Sequence, residues 1–160
     1  MHEYQHLSQA ELIVRIQTLE QENSELRESV QRYHGILEDQ TELICRYLPD
    51  GRLSYVNSAY ARYYGKDRHS IEGTNFIPHI PPEDLEQVTA YVSALSPTRP
   101  VTTFEHRVLM ANGSVRWQQW THRALFDDQG FLREYQAVGH DITQRRQAEE
   151  ELMEHRAFLR

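Results

Sequence analysis

From Ser8 to about His34 apolar side chains recur three and four residues apart, with no Gly or Pro between them. That period predicts an amphipathic helix. Leu12, Leu19, Leu26 and Tyr33 fall at d positions of a heptad, and Ile16, Asn23, Val30 and Leu37 at a positions. Leu at d with β-branched residues at a favours a parallel two-stranded coil. An Asn in the seam costs stability, but it pairs with its own copy and fixes register, the role expected of Asn23. Arg15 at g would face Glu20 at e of a second copy, and Glu22 would face Arg27, both pairs opposite in charge. Ser8 and Glu11 have the spacing of a capping box, and Leu7 and Leu12 that of a hydrophobic staple. A helix starting at Ser8 and ending at Gly35 is therefore predicted. So few heptads make a coil that is marginal alone. The alternative is a surface helix packed on its own domain.

Beyond Gly35 the period changes. Residues 42–48 (ELICRYL) are apolar and β-prone, Pro49-Asp50-Gly51 is a turn signal, and residues 52–56 (RLSYV) complete a hairpin. Asn57 suits the N-cap of a short helix carrying Tyr60, Tyr63 and Tyr64. Asp67 suits the cap of another, stopped by Gly73. Pro81-Pro82-Glu83-Asp84 opens a longer helix over 82–96, with Pro in its first turn and acids at its dipole's positive end. Leu85, Val88, Val92 and Leu95 form its apolar stripe, with Tyr91 beside it, and Pro97 and Pro100 close it. Three strands follow, at 101–110, 114–126 and 131–140, joined by Asn112-Gly113 and by the DDQG turn at 127–130. Asp141 and Gln144 again have capping-box spacing, and Ala148, Leu152, His155 and Leu159 continue a heptad-like stripe to Arg160. The order ββααα-βββ gives an α+β fold with an antiparallel sheet.

Composition narrows the function. A net charge of −7 over 160 residues disfavours nucleic acid and anionic membrane surfaces as partners. Charged residues make up 26% and mean hydropathy is −0.73, and no apolar run approaches the ~20 residues of a membrane helix. The first residues lack the pattern of a signal peptide. Cys45 is the sole cysteine, which rules out an intrachain disulfide and a multi-cysteine metal site. A cytoplasmic location is expected. No catalytic triad, phosphate loop or paired-carboxylate motif stands out, so no enzymatic activity is expected of these residues.

Pro49-Asp50-Gly51 running into Val56-Asn57, the Asn-Gly hairpin followed by Arg116-Trp117, and Asp141-Ile142-Thr143 together resemble a PAS domain with its C-terminal PAC region. Glu105-His106-Arg107-Val108, Arg116-Trp117-Gln118-Gln119-Trp120 and Glu134-Tyr135-Gln136 resemble a bacterial sensory-box subfamily. The likeness covers about residues 37–145. It implies a five-stranded antiparallel sheet with helices on one face, and three segments: a coiled-coil helix at 1–35, a PAS/PAC domain at 36–142 and the start of a signalling helix at 143–160. It also implies an input module of a histidine kinase, diguanylate cyclase or similar regulator, dimeric through its first helix. The output domain would follow Arg160, and Asp141, Ile142, Thr143, Ala148 and Leu152 would relay the signal to it. The alternatives are a ligandless dimerisation spacer and a cofactor-binding redox or gas sensor.

The resemblance places a small-molecule pocket between sheet and long helix, with Tyr64, Phe76, Val88, Tyr91, Val92, Phe104, Trp117 and Gln119 as candidates. Haem is disfavoured, because Val88 stands where haem-binding members carry histidine and His79 precedes the helix. A flavin photoadduct is disfavoured because Cys45 lies in the first strand, where it suits a small buried hydrophobe. No metal is expected: the nine histidines are scattered, and His106, His122 and His140, on adjacent predicted strands, suit exposed polar positions. Period two sends Trp117 and Trp120 to opposite faces, one towards the pocket and one outward to an interface. Phe104, His106 and Val108 share one face of their strand. Gln118, Gln119, Tyr135 and Gln136 are the polar groups offered to a ligand.

Overall fold

The computed structural model describes residues 7–38 and 41–160, with side chains from 7–36 and 41–160. Residues 1–6 and the side chain of Leu37 lie outside the described residues. The chain divides into two compact units, residues 1–39 and 40–160.

The first unit is one helix, α1 (Gln9–Glu38). Its start is the expected capping box: the Ser8 amide donates to the Glu11 carboxylate at 2.7 Å, and the Glu11 amide donates to Ser8 Oγ at 3.3 Å. These bonds from Ser8, the backbone one foremost, hold the Glu11 carboxyl below its ordinary pKa. The helix does not stop at Gly35 but continues to Glu38. A stop of that kind needs glycine in the left-handed region, and Gly35 does not adopt it. Ile16, Leu19, Leu26, Val30 and Tyr33 are exposed along its length, as are Ile13 and Val14.

The second unit is built on one antiparallel sheet in the order β2-β1-β5-β4-β3. Its strands are β1 (Leu43–Tyr47), β2 (Leu53–Val56), β3 (Val101–Leu109), β4 (Val115–Phe126) and β5 (Leu132–Asp141). The five strands, and the position of the helices between β2 and β3, follow the predicted order. All three hairpins use one turn. Leu48–Arg52, Met110–Ser114 and Asp127–Phe131 each place a positive-φ glycine fourth, and its amide donates back to the first residue's carbonyl. Asn112 keeps a negative φ, so the turn is not the mirror-image type that Asn-Gly favours. A type I turn followed by a glycine bulge fits this geometry.

Between β2 and β3 the chain forms α2 (Ser58–Tyr63), α3 (Arg68–Ile71), a 3-10 turn (Ile77–His79) and α4 (Pro82–Ser93). Asn57 caps α2 as expected and does more. Its side-chain oxygen accepts from the amides of Tyr60 (3.0 Å) and Ile44 (3.1 Å), and its amide donates to the Glu42 carbonyl (2.9 Å). One fully buried residue thus ties α2 to β1. Asp67 precedes α3, but its side chain makes no cap bond; its carbonyl takes the Ser70 and Ile71 amides instead. α4 starts at Pro82 as expected and ends earlier than residue 96, with Ala94 as its C-cap. Of its stripe, Val88 alone is buried.

The helices cover one face of the sheet. Leu43, Cys45 and Tyr47 of β1, Tyr135 and Ala137 of β5, and Trp120 and Ala124 of β4 pack there with Tyr60, Tyr64 and Ile71. A second cluster joins Ile80, Val88 and Phe104, and Phe76 and Val92 touch both. Gly139 lies opposite Trp120 in the β4–β5 ladder, and a Cβ there would meet the indole ring at 2.6 Å. The ring needs that bare backbone to lie flat against the sheet.

Gly139→Ala is expected to cost about 1–3 kcal/mol, the range for overpacking a filled core. The measurement is a lower urea midpoint at unchanged slope, and an unchanged midpoint would show that Trp120 has room to move aside.

Candidate functional site

Alternation along β3 and β4 decides what enters the interior. Phe104, His106 and Val108 point inward from β3, and Gln118, Trp120, His122 and Ala124 from β4. Of these, His106, Val108, Gln118, Trp120 and His122, with Cys45 and Tyr47 of β1, floor a small cavity of about 20 Å³, roofed by Tyr60, Tyr64, Phe76, His79, Ile80 and Val88. A second, adjoining pocket of about 140 Å³ shares Tyr47, Phe76, Ile80 and Val88 with it and reaches Leu85, Val92 and Tyr135.

The inner cavity is apolar with a polar floor. Trp120 Nε1 donates to Gln118 Oε1 at 2.8 Å, and Gln118 Nε2 donates to the Tyr64 hydroxyl at 3.3 Å. Gln118 is completely buried, so these bonds offset the cost of taking its amide out of water. The Tyr47 hydroxyl meets His122 Nδ1 at 2.6 Å. His122 lies flat against Phe104 (centroids 4.9 Å apart, planes at 4°), and Tyr91 stacks on Phe104 in turn. His106 Nδ1 meets the Arg107 carbonyl at 2.8 Å.

Burial penalises a charged imidazole here. It is the main reason that His122 is held down at about 3, with His106 adding to it. Burial also lowers His106, against the pull of the Arg107 carbonyl and Asp84. It lowers His79, with Lys66 as the lesser cause. The expectation of exposed strand histidines fails for His106 (6% exposed) and His122 (4%). Both share the inward period of Phe104 and Trp120, and the polarity of imidazole concealed it. His140 lies on β5 with the opposite parity, exposed, 3.8 Å from Glu42. The three do not converge, and the described residues contain no cluster of three or more candidate metal ligands.

Tyr64, Phe76 and Val88 line the inner cavity, and Val92 the adjoining pocket. Phe104 backs His122, while Tyr91 is exposed at the outer end of that stack. Trp117 and Gln119 are corrections: both leave β4 on the outer face, because the inward positions of this strand are even-numbered. That parity puts Gln118 inside; on β5, where the inward positions are odd-numbered, Tyr135 lies inside and Gln136 outside. Gln118, Trp120, His106 and His122 were the residues to find, and following period two from Phe104 and Trp120 reaches all four.

The residues do not fit haem or a flavin adduct. Val88, which lines the cavity, has no ligating atom, and burial raises the Cys45 thiol far above its usual range.

On the outer face, Trp117 is the seat of the last helix, α5 (Thr143–Phe158). The Ile142 amide donates to the Trp117 carbonyl (2.9 Å), and the Trp117 amide donates to Thr143 Oγ1 (2.9 Å). The Arg146 guanidinium lies 3.7 Å from the indole centroid, and Arg145 and Arg146 both reach Glu105 on β3. Asp141 does not form the expected box with Gln144. Its carboxylate instead accepts from the Thr143 amide (2.9 Å), the Tyr63 hydroxyl (2.6 Å) and Arg116 (2.8 Å). Burial opposes its charge, but these partners outweigh it and hold the carboxyl below its ordinary pKa. Residues 147–160, with Ala148, Leu152, His155 and Leu159 among them, are exposed.

Residues 37–147 match the family model for the PAS fold (PAS_4), and the chain belongs to that family. It is 32% identical over 127 residues to the two-component sensor PprA of Pseudomonas aeruginosa, across 79% of this chain and 14% of that protein's length. Among solved structures it is similar to the sensory box histidine kinase/response regulator of Burkholderia thailandensis: TM-score 0.64, 23% identity, 80% of this chain and 97% of that one. The PAS domain of an HTR-like protein from Haloarcula marismortui gives a TM-score of 0.65 at 20% identity, covering 77% and 99%. At these identities the two structures establish the fold. The resemblance read from the motifs holds.

The His122 pKa has a consequence for stability. The unfolded histidine takes a proton near 6.5 and the folded one not until about 3, so the stability present above 6.5 is lost as pH falls towards 3. The slope from this group reaches about 1.4 kcal/mol per pH unit. Urea titrations from pH 7 to 4 should show a shallower loss in a Tyr47→Phe/His122→Phe variant than in wild type. Equal slopes would mean that His122 charges freely in the fold.

Proposed function

We propose that the chain is a cytoplasmic sensory and dimerisation module of a larger signalling protein, a histidine kinase, diguanylate cyclase or similar regulator. It passes the state of its interior through α5 to an output domain that follows Arg160. One observation carries this reading: the cavity floor and the seat of α5 are consecutive residues. Gln118 bonds inside to Tyr64 and Trp120, while Trp117 bonds outside to Ile142, Thr143 and Arg146. Tyr63 and Tyr64 repeat the pairing from α2, Tyr64 inward on Gln118 and Tyr63 on Asp141. A shift of Gln118 or Tyr64 is thereby handed to residues 141–146. Relationship to a two-component sensor and the absence of a membrane-length apolar helix among the described residues agree with it. The module's own task is transmission, not catalysis.

The homodimer rests on α1. Its seam of half-buried Leu12 and exposed Ile16, Leu19, Leu26, Val30 and Tyr33, with Asn23 among them, suits a parallel partner copy. The two g–e pairs add about 0.2–1 kcal/mol each, enough to favour parallel pairing but not to drive it. A second reading, a dimerising spacer with no ligand, is favoured by the small volume of the inner cavity.

Two measurements test the reading. Sedimentation equilibrium should give a dimer for wild type and a monomer for Leu19→Asp/Leu26→Asp; a dimer unaffected by both charges would remove α1 as the contact. Gln118→Leu should change amide-exchange protection at residues 142–147 by about tenfold, the loss of roughly one buried hydrogen bond. Protection there unchanged, in a variant whose sheet amides have shifted, would sink the relay.

A further inference from the structure

Two buried histidines face the inner cavity with opposite hydrogen-bonding roles. The Arg107 carbonyl only accepts, so His106 carries its proton on Nδ1. With its charge suppressed by burial, its Nε2 is a lone pair. His122 is the reverse. Its Nδ1 bonds to the Tyr47 hydroxyl at 2.6 Å, and neither group has another partner among the described residues. Either way one donor goes unmet: the Tyr47 proton if Nδ1–H donates, an Nε2–H if the Tyr47 hydroxyl does. A phenol is the more acidic donor and an imidazole nitrogen the more basic acceptor, so the hydroxyl donates and the second arrangement is the one the site favours. His122 Nε2 is buried without a partner among the described residues, and the ring lines the cavity.

An unmet buried donor is expensive, and an oxygen acceptor beside it relieves that cost. The charge of that oxygen follows from the walls. The cavity lining includes no Arg or Lys, and the adjoining pocket has none either. A carboxylate or phosphate there would be buried unpaired, which the interior does not tolerate. The space fixes the rest. About 20 Å³ at the histidines holds an oxygen-bearing head, and the roughly 140 Å³ beyond Tyr47, Phe76, Ile80 and Val88 holds an apolar body.

We propose that this chain binds a small uncharged molecule whose carbonyl or hydroxyl oxygen accepts from His122 Nε2, with its apolar body in the pocket under α4. A hydroxyl would in addition donate to His106 Nε2. The proposal rests on the reading of the cavity as the module's input. It differs from that reading in naming what the input must look like: neutral, oxygen-bearing and otherwise apolar.

Three probes of one shape separate the possibilities: acetophenone, with a neutral acceptor; ethylbenzene, with none; and benzoate, with a charged one. Binding to the full chain is followed by calorimetry, and the His122 ring by side-chain nitrogen NMR. Acetophenone should bind about tenfold more tightly than ethylbenzene, the worth of one buried donor satisfied. Benzoate should not bind at pH 7.5. The His122 Nε2–H resonance should be visible without ligand and shift on adding acetophenone. Tyr47→Phe/His122→Phe, checked for folding by circular dichroism, should bring acetophenone and ethylbenzene within about twofold of each other. Equal binding of acetophenone and ethylbenzene to wild type would overturn the proposal, as would a preference for benzoate or a proton found on Nδ1. No binding by any probe would overturn it too and support the ligandless spacer, whereas the relay stands or falls separately with Gln118→Leu.

Discussion

The structure depends on a geometric constraint in β4: consecutive side chains of a strand leave it on opposite faces. Trp117 and Gln118 are such neighbours. One holds the first turn of α5 through its backbone and its ring, and the other spans the cavity floor between Tyr64 and Trp120. Neither can shift along the strand without the other, because they share a peptide unit. A sheet in which these two residues sat a few positions apart would have the same fold and a much weaker connection between its faces.

The interior is built around polar groups that an apolar core would not need. Gln118, His106, His122 and the hydroxyls of Tyr47 and Tyr64 are all buried beside Cys45, Val88 and Trp120. Most are satisfied, and satisfied buried networks fix side-chain positions more tightly than packing does. The exception is His122 Nε2. Its cost is tolerable because the ring stays neutral and lies flat on Phe104. A polar floor of this kind suits recognition: it sets the orientation of a guest, and the apolar walls supply most of the affinity.

The two long helices make the opposite use of surface. Each leaves an apolar stripe exposed, α1 along most of its length and α5 beyond Arg146. A helix in that condition gains by pairing, and a few heptads give enough burial for a dimer only when a second contact or a linked domain adds to it.

Local chemistry made much of this legible in the sequence. The capping box at Ser8, the Asn57 cap, Pro82 at a helix start and a glycine closing each hairpin are determined by a few neighbouring residues, and the structure shows each in place. Gly35 and Asp141 were misleading for the same reason. A glycine ends a helix only if it turns left-handed, and a capping carboxylate caps only if nothing stronger competes for it, as Tyr63 and Arg116 do. The site was harder. Period two says that Trp117 and Trp120 part company, but it is symmetric between the two faces. Only the assembly of β4 between β3 and β5, under α2 and α4, decides that even-numbered residues go inside. That choice put His106, His122 and Gln118 in the cavity and moved Trp117 and Gln119 out of it. The sequence by itself determined the elements, their order and the family. The tertiary structure decided which face of the sheet became the interior, because burial belongs to the whole packed domain and not to any one strand.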